Sequence, residues 1–181
     1  MSYHIDADDI IIYAEEAPWN EFAKKNGAAD LTVSSILNKS LYGFITGHTT
    51  RHLTQLLISQ ARASAKAIQL PFRCDSPTAR RHMQMHISPG GGTAGDIEIT
   101  TCLIREEPRE RLEILDASID HSEAMLNFCS WCNKVEVHRG EWMELEDAVR
   151  ALHLMENPLP PELTHGMCPS CLEEALKVVR T

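Results

Sequence analysis

The chain has 181 residues, of which 43% are hydrophobic, and its formal net charge is −9 with an isoelectric point of about 5.4. This size and composition are typical of one ordinary globular domain with a small appendage. A negative net charge argues against nucleic-acid binding, and no apolar run approaches the roughly 20 residues of a membrane span. The first residues lack the basic and apolar segments of a signal peptide, so we expect a cytoplasmic protein.

The first 106 residues are predicted to form an α+β domain. Three strands alternate apolar and polar residues, which is typical of an antiparallel sheet with one buried face. The longest helix begins near Thr49 or Thr50, either of which can cap it. Strands are predicted at 3–6, 10–14, 68–73, 81–88 and 97–104, and helices at 19–25, 40–45 and 49–66.

A charged run from Arg105 to Arg111 marks the predicted end of this domain, since such runs are usually solvated linkers. We therefore place the domain at 1–106, a linker at 107–122 and a small module at 123–181. The module is acidic, with 10 Asp and Glu against 5 Lys and Arg. Its predicted elements are helices at 120–128, 142–154 and 169–179 and a stiff loop at 158–161.

Two C-x-x-C pairs, Cys129 with Cys132 and Cys168 with Cys171, stand in this module with 35 residues between them. Zinc prefers thiolate ligands in a tetrahedron, and two such hooks provide four of them. The second hook opens a predicted helix, whose N-terminus helps to hold thiolate charge. Because so small a module has too small a core to fold alone, we predict one structural zinc ion.

Two other uses of four cysteines stay open. A dithiol switch that holds zinc only when reduced and an iron–sulfur cluster both fit the spacing, whereas disulfides are disfavoured by the expected compartment. His165, three residues before Cys168, could replace one cysteine. With four cysteines present, we predict instead that its ring N–H orients a thiolate or a backbone carbonyl. The remaining cysteines, Cys74 and Cys102, are expected to be small buried residues.

Catalytic motifs are absent from the sequence. A closed site with four protein ligands leaves no position for water, and there is no Gly-rich phosphate loop, no Gly-x-Ser-x-Gly and no pair of acids that stands out. We therefore do not predict an enzyme. Trp131, beside the first hook, is expected to belong to the core of the module rather than to stack on bases.

The hooks and their surroundings resemble a known tail. Cys129-Ser-Trp-Cys132-Asn-Lys134, Gly140-Glu-Trp142 and Thr164-His165-Gly166-Met-Cys168-Pro169-Ser-Cys171 are similar to a short zinc-binding tail of bacterial PAS-containing sensory proteins. The first domain resembles a PAS sensor domain in strand order and in the segments around Asp6 to Asp9 and Trp19 to Gly27. The resemblance implies a five-stranded antiparallel sheet with helices cupped over one face. It also implies a cup for a small molecule and a homodimer.

Several residues would line such a cup, although most are equally expected in an ordinary core. His48 and His52 lie where haem-binding PAS domains take an axial ligand, but a histidine at a helix start is more often on the surface, so haem is not expected. The ligand therefore stays unidentified. The cup residues implied by the resemblance are Trp19, Phe22, Phe44, His48, His52, Leu56, Arg73, Met83 and Met85.

A basic cluster around Arg73, Arg80 and Arg81 could grip a carboxylate or phosphate. We favour pairing with Asp75 or nearby acids. The sequence thus predicts a regulatory sensor or adaptor with a protein partner and no nucleic-acid or membrane partner. The alternative is a thiol-based redox sensor in which the zinc–cysteine site is the input.

Overall fold

The computed structural model describes residues 1–180, and its first sheet has five strands. These are β1 Ser2–Ile5, β2 Ile11–Ala14, β3 Ile68–Arg73, β4 Ala79–Pro89 and β5 Ile97–Pro108. All pairings are antiparallel, in the order β2-β1-β5-β4-β3. The α+β class and the five-stranded antiparallel sheet are therefore confirmed.

The helices between β2 and β3 pack on one face of this sheet. They are α1 Glu16–Lys25, α2 Val33–Ile36, a 3-10 turn Leu41–Phe44 and α3 His48–Ser64. Leu57 and Ile58 of α3 pack against inward residues of the strands such as Ile87 and Ile99, and this cluster is the first core. None of the helices is long and apolar enough to cross a membrane within the described residues.

The predicted threonine cap of α3 is wrong. The N-cap residue is Gly47, with φ of 86°, and no side chain caps the helix. Thr50 lies one turn further along and donates its hydroxyl to Ser130 Oγ at 3.0 Å. Its hydroxyl is therefore engaged by another part of the chain.

The second sheet has four strands in the order β8-β7-β6-β9. They are β6 Ser122–Cys129, β7 Val135–His138, β8 Glu141–Met143 and β9 Pro161–Gly166, accompanied by the helices α4 Leu145–Ala151 and α5 Pro169–Val179. Short 3-10 turns lie at Glu113–Leu115 and Leu154–Glu156. β6 pairs antiparallel with β7 and parallel with β9.

The predicted helix at 120–128 is wrong, because this segment is strand β6. Leu126 and Phe128 alternate into a second core formed with residues such as Val135 and Leu145. Ala, Met and Leu favour a helix locally. Strand β6 forms instead because β7 and β9 pair with its backbone N–H and C=O groups on both sides.

The predicted helix at 142–154 begins too early. Gly140, with φ of 83°, turns the chain between β7 and β8, and Trp142 pairs with Glu136 across this hairpin. Only Leu145–Ala151 is α-helical. The loop predicted at 158–161 runs directly into β9, a strand that the pattern did not predict.

The charged run is not a free linker at its start. β5 continues to Pro108, two residues past the predicted boundary, and pairs Glu106 with Arg81 of β4. Beyond it, the N–H of Arg109 donates to Thr78 O at 3.0 Å. The division at 106 and 122 stays a prediction, but this segment packs against the first sheet.

A buried ion network joins the first sheet to helix α4. Asp75 has no exposed side-chain surface and pairs with both Arg73 and Arg109. The network reaches the start of α4, because Arg73 also pairs with Glu144 at 2.7 Å and Arg109 with Glu146 at 3.1 Å. Pairing of the basic cluster with Asp75 and nearby acids is therefore confirmed.

The pKa of Asp75 lies below its ordinary value. Burial raises it, but the hydrogen bond and charge of Arg73, the N–H of Arg81 and the charge of Arg109 outweigh burial. Because the folded pKa is below the unfolded one, Asp75 stabilises the fold above the unfolded pKa. That contribution is lost as the pH falls through the folded pKa.

We predict that Asp75→Asn lowers the free energy of unfolding by about 3 kcal/mol, because two buried guanidinium groups lose their shared anion. Its unfolding free energy should also depend less steeply on pH below about 4. Urea titrations followed by circular dichroism at neutral and acid pH measure both effects. Asp30→Asn, at an exposed site, is the control. Equal stability of the two variants would contradict the prediction.

Candidate metal centre

Parallel pairing brings the two hooks together. β6 ends at Cys129 and β9 at Gly166, and these two residues are opposite each other in the sheet. Because parallel neighbours end at the same edge, the first hook (residues 129–132) and the second hook (residues 168–171) leave the sheet side by side.

The first hook is a tight turn closed by its own backbone. The N–H of Cys129 donates to Lys134 O at 2.8 Å, and the N–H of Asn133 donates to Cys129 O at 3.0 Å. Asn133 adopts φ of 61°, a left-handed conformation that asparagine tolerates better than most residues. The turn therefore directs the sulfurs of Cys129 and Cys132 to one side.

The second hook is the start of a helix. Cys168 is the N-cap of α5, and Pro169 occupies the first turn, where its missing N–H costs nothing. The N–H of Cys171 lies 3.5 Å from Cys168 Sγ, and the N–H of Cys168 lies 3.3 Å from Cys129 Sγ. Backbone donors thus point at the sulfurs from both sides, which favours thiolates.

The four cysteine sulfurs lie within 4.8 Å of one another, and this group is the cysteine cluster. Cys132 Sγ and Cys168 Sγ are 3.6 Å apart, close to the roughly 3.8 Å expected across a tetrahedron with zinc–sulfur bonds of about 2.3 Å. None of the cysteines forms a disulfide among the described residues. The cluster can hold a metal ion, and a tetrahedral thiolate set is consistent with zinc.

The thiols of the cluster share protons unequally. Hydrogen bonds from the thiols of Cys132 and Cys171 and from backbone N–H groups lower the pKa of Cys129 strongly. The same interaction raises the pKa of Cys132 to about 12 and that of Cys171 further. Four thiolates at this spacing repel one another, so full deprotonation requires a cation, and metal binding releases protons.

His165 is not part of the cluster. Its exposed ring packs edge-on against Phe128 with the ring centroids 6.1 Å apart, and within residues 1–180 it forms no hydrogen bond to a sulfur or a carbonyl. The orienting role of His165 stays a prediction, and the donors that reach the sulfurs are the N–H groups of Cys168 and Cys171. His165 acts through its backbone, which pairs with Phe128 in the sheet.

Two cavities flank the first hook. The sheet cavity, about 340 Å³, lies between the first sheet and its helices, and the cluster cavity, about 430 Å³, lies beside Cys132 and Cys171. Phe72 and Trp131 line both. The predicted core role of Trp131 in the module is wrong, because its indole packs against the first core instead.

The predicted cup residues divide between several places. Three line the sheet cavity, namely Trp19, Phe44 and Met85. Two line the cluster cavity, namely Arg73 and Met83, and Phe22 lines a separate hollow beside Trp19. The other three line neither cavity: His48 and His52 are exposed on α3, and Leu56 is half-buried.

The sequence pattern missed the hydroxyl side of the sheet cavity, formed by Tyr3, Thr50, Thr54 and Ser130. Ser130 lies within the first hook, so its position depends on long-range docking that the local pattern does not encode. The expectation for the remaining cysteines also fails in part, since Cys102 is exposed and Cys74 half-buried.

The chain has no significant match among models of protein families, among curated proteins or among solved structures. Its likeness to PAS sensory proteins stays a prediction from the residues quoted above.

We predict that purified, reduced protein holds one zinc ion per chain. Cys171→Ser removes a ligand and should weaken zinc binding by more than the roughly 10- to 100-fold that is typical of losing a group hydrogen-bonded to a ligand. Competition with a zinc-binding dye measures the affinity, and X-ray absorption should show four sulfurs at about 2.3 Å. Cys102→Ser is the control, because Cys102 lies outside the cluster. Iron in the purified protein, or equal affinities of the two variants, would contradict the prediction.

Proposed function

We propose that this chain is a regulatory sensor or adaptor in which a PAS-like, small-molecule-binding domain is coupled to a structural zinc module, and that it is not an enzyme. The observation that carries the proposal is the position of the first hook. Its residues Ser130 and Trp131 line the sheet cavity, between two metal-ligand candidates.

The first sheet and its helices support the PAS-like part of the proposal. Helices cover one face of five antiparallel strands, and a cavity lies between them, as the resemblance implies. A concave, mostly apolar cavity of this size is a common kind of small-molecule site.

The cysteine cluster supports a structural role for the metal. Four sulfurs fill a tetrahedral coordination sphere, so a bound zinc ion has no open position for water or substrate. The metal would instead fix the two hooks relative to each other and add stability to the module.

Contacts between the two parts support coupling. The N–H of Arg73, on edge strand β3, donates to Trp131 O at 2.7 Å, and Thr50 donates to Ser130. Val178 and Val179 near the end of α5 pack against the first core. A ligand bound in the sheet cavity would therefore change the position of the first hook. We propose that this change alters binding to a protein partner and to a second copy of the chain.

The second candidate function is a thiol-based redox sensor. Cys132 and Cys171 are only half-buried and line the cluster cavity, so a small oxidant can reach them. Oxidation of these thiolates would remove two metal ligands and release zinc.

An absorption spectrum and a native mass of the zinc-loaded protein test the first function against the second. We expect a mass increment from a retained small molecule, or a shift in mass when small-molecule extracts are added, with zinc retained under mild peroxide. Zinc release at low peroxide, with disulfides and no small molecule, would favour the redox sensor. A haem or flavin spectrum would identify a cofactor that the exposed His48 and His52 do not suggest.

We also predict no binding to duplex DNA or single-stranded RNA at physiological salt. The module has a deficit of positive charge, and Trp131 is engaged with the first core rather than free to stack on bases. Gel-shift assays with random oligonucleotides at two salt concentrations measure this. Tight, salt-sensitive binding would overturn the prediction.

A further inference from the structure

The sheet cavity is lined without any charged side chain. Among its fifteen lining residues are aromatic and aliphatic groups from the sheet and helices, such as Trp19, Met85 and Ile99, but no Asp, Glu, Lys, Arg or His. An ion placed there would lose part of its hydration without gaining a charged partner, which is unfavourable. The lining therefore selects against charged ligands.

Most polar groups of the sheet cavity are already engaged. Thr54 donates to Thr50 O at 2.9 Å, Thr50 donates to Ser130 Oγ at 3.0 Å, and the indole of Trp19 donates to Leu31 O at 2.7 Å. Within residues 1–180 the hydroxyl of Tyr3 has no hydrogen-bond partner. The Tyr3 ring packs against Trp19 at the cavity wall, with 5.8 Å between the two ring centroids. The site thus offers little more than one or two hydroxyl groups to a ligand.

One wall of the sheet cavity belongs to the metal centre. Trp131 lies one residue before Cys132 and two after Cys129, so fixing both sulfurs fixes its backbone. Its indole lies against the first core, and its carbonyl accepts from Arg73. If the first hook loses its metal, this wall loses the anchor that the two sulfurs provide and keeps its contacts with the first core and Arg73.

We propose that the sheet cavity binds an uncharged, predominantly apolar small molecule, and that the metal-held first hook completes the site, so that metal and ligand bind cooperatively. The proposal rests on the function proposed above and specifies its ligand class and its coupling. By linkage, whatever factor the metal adds to ligand affinity, the ligand adds to metal affinity.

A matched pair of fluorescent probes tests the ligand class. N-phenyl-1-naphthylamine is neutral, and 8-anilino-1-naphthalenesulfonate has the same aromatic framework with an added sulfonate. We expect the zinc-loaded chain to bind the neutral probe at least about tenfold more tightly than the sulfonate. Removal of zinc by a chelator should weaken binding of the neutral probe by a comparable factor. The bound probe should in turn slow zinc loss to the chelator.

Cavity-filling variants tie the signal to this site. Thr54→Phe and Ile45→Trp each place a ring among the lining residues and should abolish binding of the neutral probe. Gln55→Phe adds the same ring at an exposed position of α3 and should leave it unchanged. Zinc content and circular dichroism show which variants are folded. Only signal that a folded cavity variant removes counts as binding in the sheet cavity.

The outcomes separate the two proposals. If neither probe binds the sheet cavity of the zinc-loaded chain, the small-molecule part of the proposed function fails together with this inference. If the sulfonate binds as tightly as the neutral probe, or if chelation leaves neutral-probe binding unchanged, the inference is overturned and the sensor function stands. Preferential binding of the neutral probe that depends on both zinc and an open cavity supports both.

Discussion

Parallel pairing of β6 with β9 is the constraint on which the metal centre depends. The two hooks are separated by 35 residues, and only this register places Cys129 opposite Gly166 at one edge of the sheet. The pairing is close: a Cβ on Gly166 would lie 2.4 Å from Asn127 Oδ1, so the glycine after His165 leaves room for that side chain. The cysteines provide the sulfur ligands, and the pairing of β6 with β9 brings those sulfurs together.

The same strand pair also fixes the module against the first sheet. Gly47 has φ of 86°, and a Cβ there would meet the carbonyl oxygen of His165 at 2.5 Å, so the start of α3 and the end of β9 touch backbone to backbone. The buried Asp75 network adds charge pairing across the same boundary, from Arg73 to Glu144 and from Arg109 to Glu146. The two cores are therefore joined by direct contacts in addition to the chain between residues 107 and 122.

Local patterns predicted the elements that depend on local chemistry. β3 at 68–73 and α5 at 169–179 were predicted with the bounds that the structure shows, because alternation in one and Pro169 with an apolar stripe in the other are local signals. The cysteine spacing predicted the cluster in the same way. β6 was predicted as a helix because its partner β9 lies more than 30 residues away, and Trp131 was assigned to the module because its contacts lie in the first core.

The free energies of zinc binding and of coupling between the zinc site and the sheet cavity limit how such a protein could signal. Zinc binding by a set of four thiolates or imidazoles is worth roughly 10–16 kcal/mol in small zinc-dependent peptides, whereas coupling between two ligand sites is typically about 1–3 kcal/mol. A small molecule in the sheet cavity therefore cannot expel the metal. It can shift how the first hook docks, through the contacts of Ser130 with Thr50 and of Trp131 with Arg73. Oxidation differs, because it destroys the thiolate ligands themselves. In a ligand sensor of this design the metal stays bound and the hook moves, whereas in a redox sensor the metal leaves.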